Sequence, residues 1–238
     1  MKPSLLAFLG LLLMGHADNA VCAVLFSDDF EDGDTLGWTF QGVNTADWSV
    51  VNGRLIHNAP SGNAGGPLAT GVIAGLSTPE AFRLEADVEV LGSIGGSDWG
   101  HVGLIWGLDS PLASPDNFST AYLRTHWDEV TIWSRVNAVT QAEQKLALPS
   151  LTNGVTYHLS VTIDSIQRTA LVELDGFSKL ISGADFDLAS GSMLGSIGLL
   201  SASDYVAYDN VVLSSVPEPR STIILGLLCV LLARRRDR

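Results

Sequence analysis

Residues 155–164 read VTYHLSVTID, and apolar side chains alternate with polar ones along the whole stretch. In an extended chain, the apolar residues from Tyr157 to Ile163 project from one face and the polar residues between them from the other. A period of two is typical of a β-strand, whereas a helix repeats about every 3.6 residues. The stretch therefore predicts a strand that buries one face and exposes the other.

The same alternation recurs in six further stretches, which Gly-rich loops separate. These stretches are Ala81 to Leu91, Gly100 to Leu108, Phe118 to His126, Glu129 to Val136, Arg168 to Asp175 and Tyr205 to Leu213. A turn or two of helix is predicted only near Gln141 to Lys145. Many short strands at regular spacing favour a single all-β domain, an antiparallel two-sheet sandwich.

The first 23 residues have the features of a secretory signal peptide. Lys2 precedes an apolar run from Leu5 to Met14, and Val21 and Ala23 stand at the positions that signal peptidase requires to be small. Cleavage after Ala23 is therefore predicted, and the chain that follows is expected to be exported.

The C-terminal segment 216–238 combines three features. Val216-Pro217-Glu218-Pro219 precedes a twelve-residue apolar run at 222–233, and an Arg cluster occupies 234–238. As a helix, that run spans only about 18 Å, against a hydrocarbon core of about 30 Å. The Arg cluster would stay in the cytoplasm, so the preceding residues would lie outside. An ordinary short membrane anchor is one interpretation of this segment.

The order of these three features closely resembles the PEP-CTERM sorting signal of Gram-negative bacteria. The resemblance covers Val216 to Arg238. It implies a transient membrane anchor that an exosortase recognises and cleaves. The domain would then reach the cell surface or the extracellular matrix.

The domain between the two terminal segments, residues 24–215, is strongly acidic. It keeps seven basic and 23 acidic residues, a formal charge of −16. Binding to a phosphate backbone depends on clustered Lys and Arg, so nucleic acid is excluded as a partner. Both cysteines, Cys22 and Cys229, lie outside the domain. Its stability must therefore come from core burial without a disulfide.

A series of landmarks in the domain resembles the concanavalin A-like lectin/glucanase jelly rolls, particularly the laminin-G-like domains of exported bacterial proteins. The landmarks are Asp28-Asp29-Phe30 with Gly37-Trp38, Trp48 to Leu55, Gly103 to Trp106, Leu174-Asp175-Gly176, Gly195 to Leu199, and Tyr208 to Val211. The resemblance implies a sandwich whose first and last strands lie close together, with ligands on a concave face or on rim loops. Because such folds host enzymes, lectins and structural modules, the fold alone does not decide the function.

One strand carries three carboxylates on one face, Glu85, Asp87 and Glu89. Laminarinase-type glycosidases of this fold have the same spacing. That resemblance implies Glu85 as nucleophile, Glu89 as acid/base and Asp87 as the residue that tunes the nucleophile. The alternative is the solvated face of an antiparallel strand, whose other face holds apolar residues from Leu84 to Val90.

An acidic cluster near the N-terminus raises the question of a structural calcium ion. Asp28, Asp29 and Glu31 fall close together, and Asp209 on the last strand would join them if the ends of the domain pair. Calcium prefers several oxygen ligands, so these four are the candidate set. A solvated turn is the alternative, because acids beside Gly33 are common in turns. No other cofactor is predicted.

Tryptophans provide the candidate ligand surface. The six are Trp38, Trp48, Trp99, Trp106, Trp127 and Trp133. Trp38 and Trp48 are expected to pack near the N-terminal strands. Trp127 lies in a predicted turn, and Trp133 shares a strand face with Thr131 and Arg135. Aromatic rings suit both sugar faces and cores. This pair is the best candidate for a ligand surface in the sequence, and packing in the core, the more frequent role of such rings, is the alternative.

Three functions agree with these observations. The leading hypothesis is a non-catalytic surface or matrix protein that binds glycan, for example an extracellular polysaccharide. PEP-CTERM proteins as a group are associated with exopolysaccharide production, which suggests glycan by analogy. The alternatives are a glycoside hydrolase that uses Glu85, Asp87 and Glu89, and a structural surface protein without a specific ligand.

Overall fold

A computed structural model of the chain describes residues 22–58, 68–93, 101–112, 114–191, 193–202 and 204–216. Nearly all of the predicted signal peptide, the sorting tail after Val216, and Trp99 lie outside these residues. Within the described part, no helix is both long enough and apolar enough to cross a membrane. The sandwich belongs to one compact unit, Ala23–Val216.

The described strands form two antiparallel sheets of eight strands each. Sheet 1 contains β1 (Val24–Asp28), β3 (Trp48–Val51), β4 (Arg54–His57), β6 (Ala81–Ser93), β12 (Thr156–Asp164), β13 (Thr169–Leu174), β14 (Phe177–Ser182) and β16 (Asp204–Ser215). Their order is β14-β13-β12-β6-β16-β4-β3, and β1 also pairs with β16. The first and last strands of the domain are therefore neighbours, as expected.

Sheet 2 faces sheet 1 across the core. It contains β2 (Trp38–Gly42), β5 (Ala69–Ser77), β7 (His101–Leu108), β8 (Phe118–Arg124), β9 (Glu129–Val136), β10 (Val139–Thr140), β11 (Gln144–Ala147) and β15 (Ser196–Ala202). Their order is β10-β9-β8-β7-β15-β5-β2, and β11 pairs with β9. The predicted antiparallel two-sheet sandwich is confirmed.

Helical structure is short in the described residues. It comprises α1 (Ala184–Ala189) and two 3-10 turns, Thr45–Asp47 and Thr125–Trp127. The prediction of a helical turn near Gln141 to Lys145 is wrong, because the chain extends there into β11. Leu146 of that strand lies opposite Val130 of β9 and is buried, so pairing and burial outweigh the local helix preference.

The main core fills the space between the sheets. Alternate residues of β6, among them Leu84, Ala86 and Val88, are completely buried there. Trp38 and Trp48 are only 8% and 6% exposed, so their expected packing role is confirmed. The core therefore takes one face of each strand, as the period of two predicts.

The outer face of sheet 2 is also largely buried. Val72, Ile105, Phe118, Tyr122 and Leu200 form a second apolar cluster, separate from the main core, and each is at most 2% exposed. All seven residues of β8 are buried as a result. A sheet with a solvated outer face would instead alternate buried and exposed positions. The outer face of sheet 2 therefore differs from the outer face of sheet 1, where buried and partly exposed residues alternate along β13.

Candidate functional site

Alternation along β9 decides which side chains reach the outer face of sheet 2. Val130 and Ile132 are fully buried in the main core, so Trp133 and its neighbours at positions 131 and 135 face outward. The predicted face of Trp133 is confirmed. We call the outward set Tyr122, Arg124, Trp127, Trp133 and Arg135 the aromatic face.

Trp127 lies in the 3-10 turn between β8 and β9, as the sequence predicts, and is 38% exposed. Asp128 follows it in the left-handed region at φ 51°, and the Asp128 carboxylate accepts the Leu151 backbone N–H at 2.6 Å. This hydrogen bond ties the turn to the loop before β12. The Arg124 guanidinium lies 4.1 Å from the centre of the Trp127 ring. Stacking of this kind holds both side chains in place.

Trp133 is half-buried, and its ring meets that of Phe118 edge to face at 5.1 Å. Tyr122 lies between Trp133 and Arg124, whose guanidinium is 5.8 Å from the Tyr122 ring. Burial is the main cause of a strongly raised pKa of the Tyr122 hydroxyl. That hydroxyl therefore keeps its proton at neutral pH. Through Arg124 and Tyr122, the structure brings the two predicted tryptophans onto one continuous surface.

Charged residues beside these rings form a network that the sequence analysis did not identify. Arg124 donates to Glu129 and to Glu143, both at 3.2 Å, and Lys145 donates to Glu129 at 3.1 Å. The Thr131 hydroxyl also donates to Glu129, at 3.1 Å. Alternation alone could have placed Arg124 on the face of Tyr122. The contributions of Glu143 and Lys145 depend on the pairing of β11 with β9, which no local pattern reveals.

Two arginine nitrogens on this face, Nε of Arg124 and Nε of Arg135, are buried without a hydrogen-bond partner among the described residues. The Trp133 indole is coupled to the Tyr122 hydroxyl by a side-chain hydrogen bond. A buried donor without an acceptor costs about 1–3 kcal/mol. Buried polar groups usually find partners in protein or water, so these two donors set the aromatic face apart from most of the described domain.

The three carboxylates of β6 lie on the outer face of sheet 1, on the opposite side of the sandwich. Glu85 pairs with Arg83 at 2.6 Å, and Glu89 pairs with Arg54 at 2.6 Å. Asp87 accepts hydrogen bonds from His158 Nδ1 at 2.8 Å and from Asn210 at 2.9 Å. Each carboxylate is therefore neutralised or hydrogen-bonded within the sheet.

The strand geometry separates Glu85 from Glu89. Strand β6 pairs with β12 without a bulge, with Glu85 opposite Ser160 and Glu89 opposite Thr156. Four residues of regular strand place their α-carbons about 13 Å apart, whereas retaining glycosidases hold their two carboxyl groups about 5–5.5 Å apart. The geometry favours the interpretation of this set as the polar face of a strand, and the catalytic alternative stays a prediction.

Two of the candidate calcium ligands, Asp28 and Asp29, accept hydrogen bonds from groups nearby in the sequence. The two oxygens of Asp28 accept hydrogen bonds from the Phe30 backbone N–H at 2.8 Å and from Trp38 Nε1 at 2.7 Å. Asp29 accepts the Glu31 backbone N–H at 3.3 Å. Burial raises the pKa of the Asp209 carboxyl, and the charges of Asp87 and Asp29 add to this effect.

Across the described residues, no three His, Cys, Asp or Glu side chains are gathered into a metal-binding group. With both of its oxygens already bonded, Asp28 fits a turn better than a metal site. A structural calcium ion stays a prediction.

Comparison with known proteins places the fold among lectins and glucanases. A carbohydrate-binding module, CBM66, from Bacillus subtilis superposes with a TM-score of 0.55 at 17% identity, over 75% of this chain and 96% of that chain. A β-glucanase from Bacillus licheniformis gives a TM-score of 0.56 at 12% identity, over 80% of this chain and 97% of that one.

Lectin II from Ulex europaeus gives a TM-score of 0.53 at 14% identity, over 80% of this chain and 98% of that one. No known family profile and no curated protein sequence matches the chain. The chain thus has the two-sheet jelly-roll fold that these lectins and glucanases share.

Proposed function

We propose that this protein is an exported, non-catalytic glycan-binding module, and that the aromatic face of sheet 2 holds the sugar. The observation that carries the proposal is the coincidence of aromatic rings with accessible charged side chains, Glu143 and Lys145, on that face. Rings alone would also suit packing, and charged side chains alone would suit a solvated surface. Together they match a ligand with apolar faces and many oxygen atoms.

A sugar ring supplies the complementary groups. Its C–H faces stack on aromatic rings, and Trp127, being 38% exposed, offers such a surface. Its hydroxyl oxygens accept hydrogen bonds from N–H donors such as the Lys145 ammonium group, whose side chain is 49% exposed. Its hydroxyl hydrogens can be donated to carboxylates, and Glu143, with its side chain 35% exposed, is available beside Arg124. Charged groups strengthen such hydrogen bonds.

The similar structures support the same class of ligand. One is a carbohydrate-binding module and another is a lectin, each matched over nearly its whole length. These likenesses show the fold, and they make a glycan the natural first ligand to test on a surface with this composition.

A glycan array tests the proposal. We expect the purified full-length protein to bind at least one bacterial or plant polysaccharide. Trp127→Ala should weaken that binding about fivefold or more, since stacking on one ring contributes on the order of 1 kcal/mol. Phe177→Ala is the matched control, because Phe177 is 45% exposed but lies on β14 of sheet 1.

Each alternative function predicts a different outcome of this experiment. Binding that Trp127→Ala and Phe177→Ala weaken equally would contradict the assigned face. Absence of binding to every glycan would favour a structural surface protein. Release of reducing sugar from a β-glucan would favour a hydrolase.

Export is a second part of the proposal, and it depends on the sequence of the two terminal segments. We infer that the signal peptide directs secretion and that an exosortase removes the tail near Val216-Pro217-Glu218-Pro219. The exported protein would reside at the cell surface or in the extracellular matrix. Intact-mass analysis of material secreted by an exosortase-containing Gram-negative host should show a start near Val24 and an end near Pro219. A stable full-length membrane form would contradict this part.

A further inference from the structure

The cations of the domain are nearly all neutralised by carboxylates. Of the seven in residues 24–215, five form ion pairs, namely Arg54, Arg83, Arg124, Lys145 and Arg168. Within the described part of the chain, Arg135 and Lys179 form none. Lys179 donates to the Lys145 backbone carbonyl at 2.9 Å, so its ammonium group still has a protein partner.

Arg135 has neither an ion pair nor a side-chain hydrogen bond to any described residue. It lies on β9 directly opposite Phe118 of β8, and its side chain is half-buried. Its Nε atom is buried without an acceptor. The domain has 23 acidic residues against seven basic ones, so carboxylate partners are abundant. A half-buried guanidinium that loses hydration without pairing with one of them is therefore unusual.

The surroundings of Arg135 point to a ligand. Trp133 precedes it by two residues on the same strand face, and both side chains are half-buried and so partly exposed. Residues at i and i+2 of a strand lie about 7 Å apart, which is comparable to the size of one sugar unit. A sugar stacked beside Trp133 can therefore bring an acidic group to the exposed part of the Arg135 guanidinium.

We propose that Arg135 binds a carboxylate carried by the glycan, so that the ligand is an acidic polysaccharide such as one built from uronic acids. This inference rests on the proposed function and names the chemical class of the ligand. The planar guanidinium can donate two parallel hydrogen bonds to one carboxylate, which the hydroxyl groups of a neutral sugar match less well. The aromatic face and its charged network carry Arg124, Arg135 and Lys145 against Glu129 and Glu143, a local excess of one positive charge.

The net charge of the whole domain gives this contact an unusual salt dependence. A charge of −16 repels a polyanion at long range, and salt screens that repulsion over a Debye length of about 8 Å at physiological ionic strength. The partly buried Arg135 contact is screened much less. Affinity for an acidic polysaccharide should therefore hold or rise as NaCl increases from 10 to 150 mM. Binding to a basic patch would instead fall steeply.

The test compares charged and neutral forms of the same polymers. The purified full-length protein is titrated with polygalacturonate and alginate, and in parallel with their methyl-esterified forms. We expect tighter binding of at least one charged polymer than of its ester. Arg135→Met should weaken binding of the charged polymer about tenfold or more and leave ester binding unchanged, while Arg135→Lys should lose part of the affinity.

Arg54→Met is the control, because it removes a cation on sheet 1 whose guanidinium pairs with Glu89 and contacts no residue of the aromatic face. It should leave both affinities unchanged. Equal binding of charged and esterified polymers, or an Arg135→Met variant that binds the acid normally, would overturn the inference while the proposed function stands. If no glycan binds, both fail. Circular dichroism of each variant checks that the fold is intact.

Discussion

His57 shows how the core treats a titratable side chain. It is 1% exposed, its Nδ1 lies 2.8 Å from the Ser201 hydroxyl, and its ring centre lies 4.5 Å from that of Trp48. Burial lowers the pKa of His57 to about 4, because an imidazolium would lose its hydration, while the charge of Asp47 opposes this only in part. The ring is therefore neutral in the folded protein.

This burial predicts a loss of stability in mild acid. The unfolded chain takes up a proton on His57 below a pH of about 6.5, whereas the folded chain does so only near pH 4. From pH 7 to pH 5, this difference should lower the free energy of unfolding by about 2 kcal/mol. Urea unfolding at the two pH values measures it. His57→Gln should lack this part of the pH dependence, and an identical dependence in both proteins would contradict the assignment.

At the scale of the element, the outward carboxylates of β6 form ion pairs and hydrogen bonds with side chains on neighbouring parts of sheet 1. We expect Glu85→Gln and Glu89→Gln to fold normally and to lower Tm by a few degrees at most, since partly exposed ion pairs contribute up to about 1 kcal/mol. Glycan affinity should not change, because the aromatic face lies on sheet 2. Thermal unfolding and a β-glucan hydrolysis assay measure both effects. Hydrolysis by the wild type that either substitution abolishes would establish the catalytic alternative instead.

The turn after β1 depends on Asp28. Phe30 is fully buried and adopts a left-handed backbone at φ 53°. The Asp28 carboxylate accepts hydrogen bonds from the Phe30 backbone N–H and from the Trp38 indole N–H. Asp28→Ala should lower the free energy of unfolding by about 1–3 kcal/mol per buried donor left unpaired. Asp32→Ala is a control, because among the described residues Asp32 accepts a hydrogen bond from the exposed Asp34 N–H alone. If EDTA lowers Tm of the wild type but not of Asp28→Ala, Asp28 binds a metal ion instead.

Strand existence and strand faces could be predicted from the sequence because alternation is a local property. Stretches such as Val155 to Asp164 match β12 to within one residue. Of the sixteen described strands, alternation identified seven, and six of the other nine have five residues or fewer, which is too short to show a period. Strand β11 depends on the edge of β9, and the six residues of α1 are too short to show a 3.6-residue period. The candidate site shows the same limit of local patterns. Alternation predicts the strand face of Trp133, but it does not predict that Lys145 lies beside Glu129.

On the scale of the whole molecule, the two outer faces of the sandwich differ. Sheet 1 presents paired charges around β6, whereas sheet 2 presents aromatic rings and unpartnered donors around β8 and β9. Unpartnered buried donors do not raise the free energy of unfolding, since apolar residues of the same shape would give a domain at least as stable. This asymmetry supports assigning ligand binding to sheet 2 and solvent to sheet 1.

The indole N–H resonances of the protein test that assignment most directly. In a ¹⁵N–¹H spectrum, the resonance of each tryptophan can be assigned by Trp→Phe substitution, and the protein is then titrated with an oligosaccharide of the polysaccharide that it binds. The Trp133 resonance should shift, because the sugar would stack beside its half-buried ring. The resonances of Trp38 and Trp106 should stay in place, because Asp28 and Ser190 already accept those protons. An unchanged Trp133 resonance at saturating oligosaccharide would contradict the account.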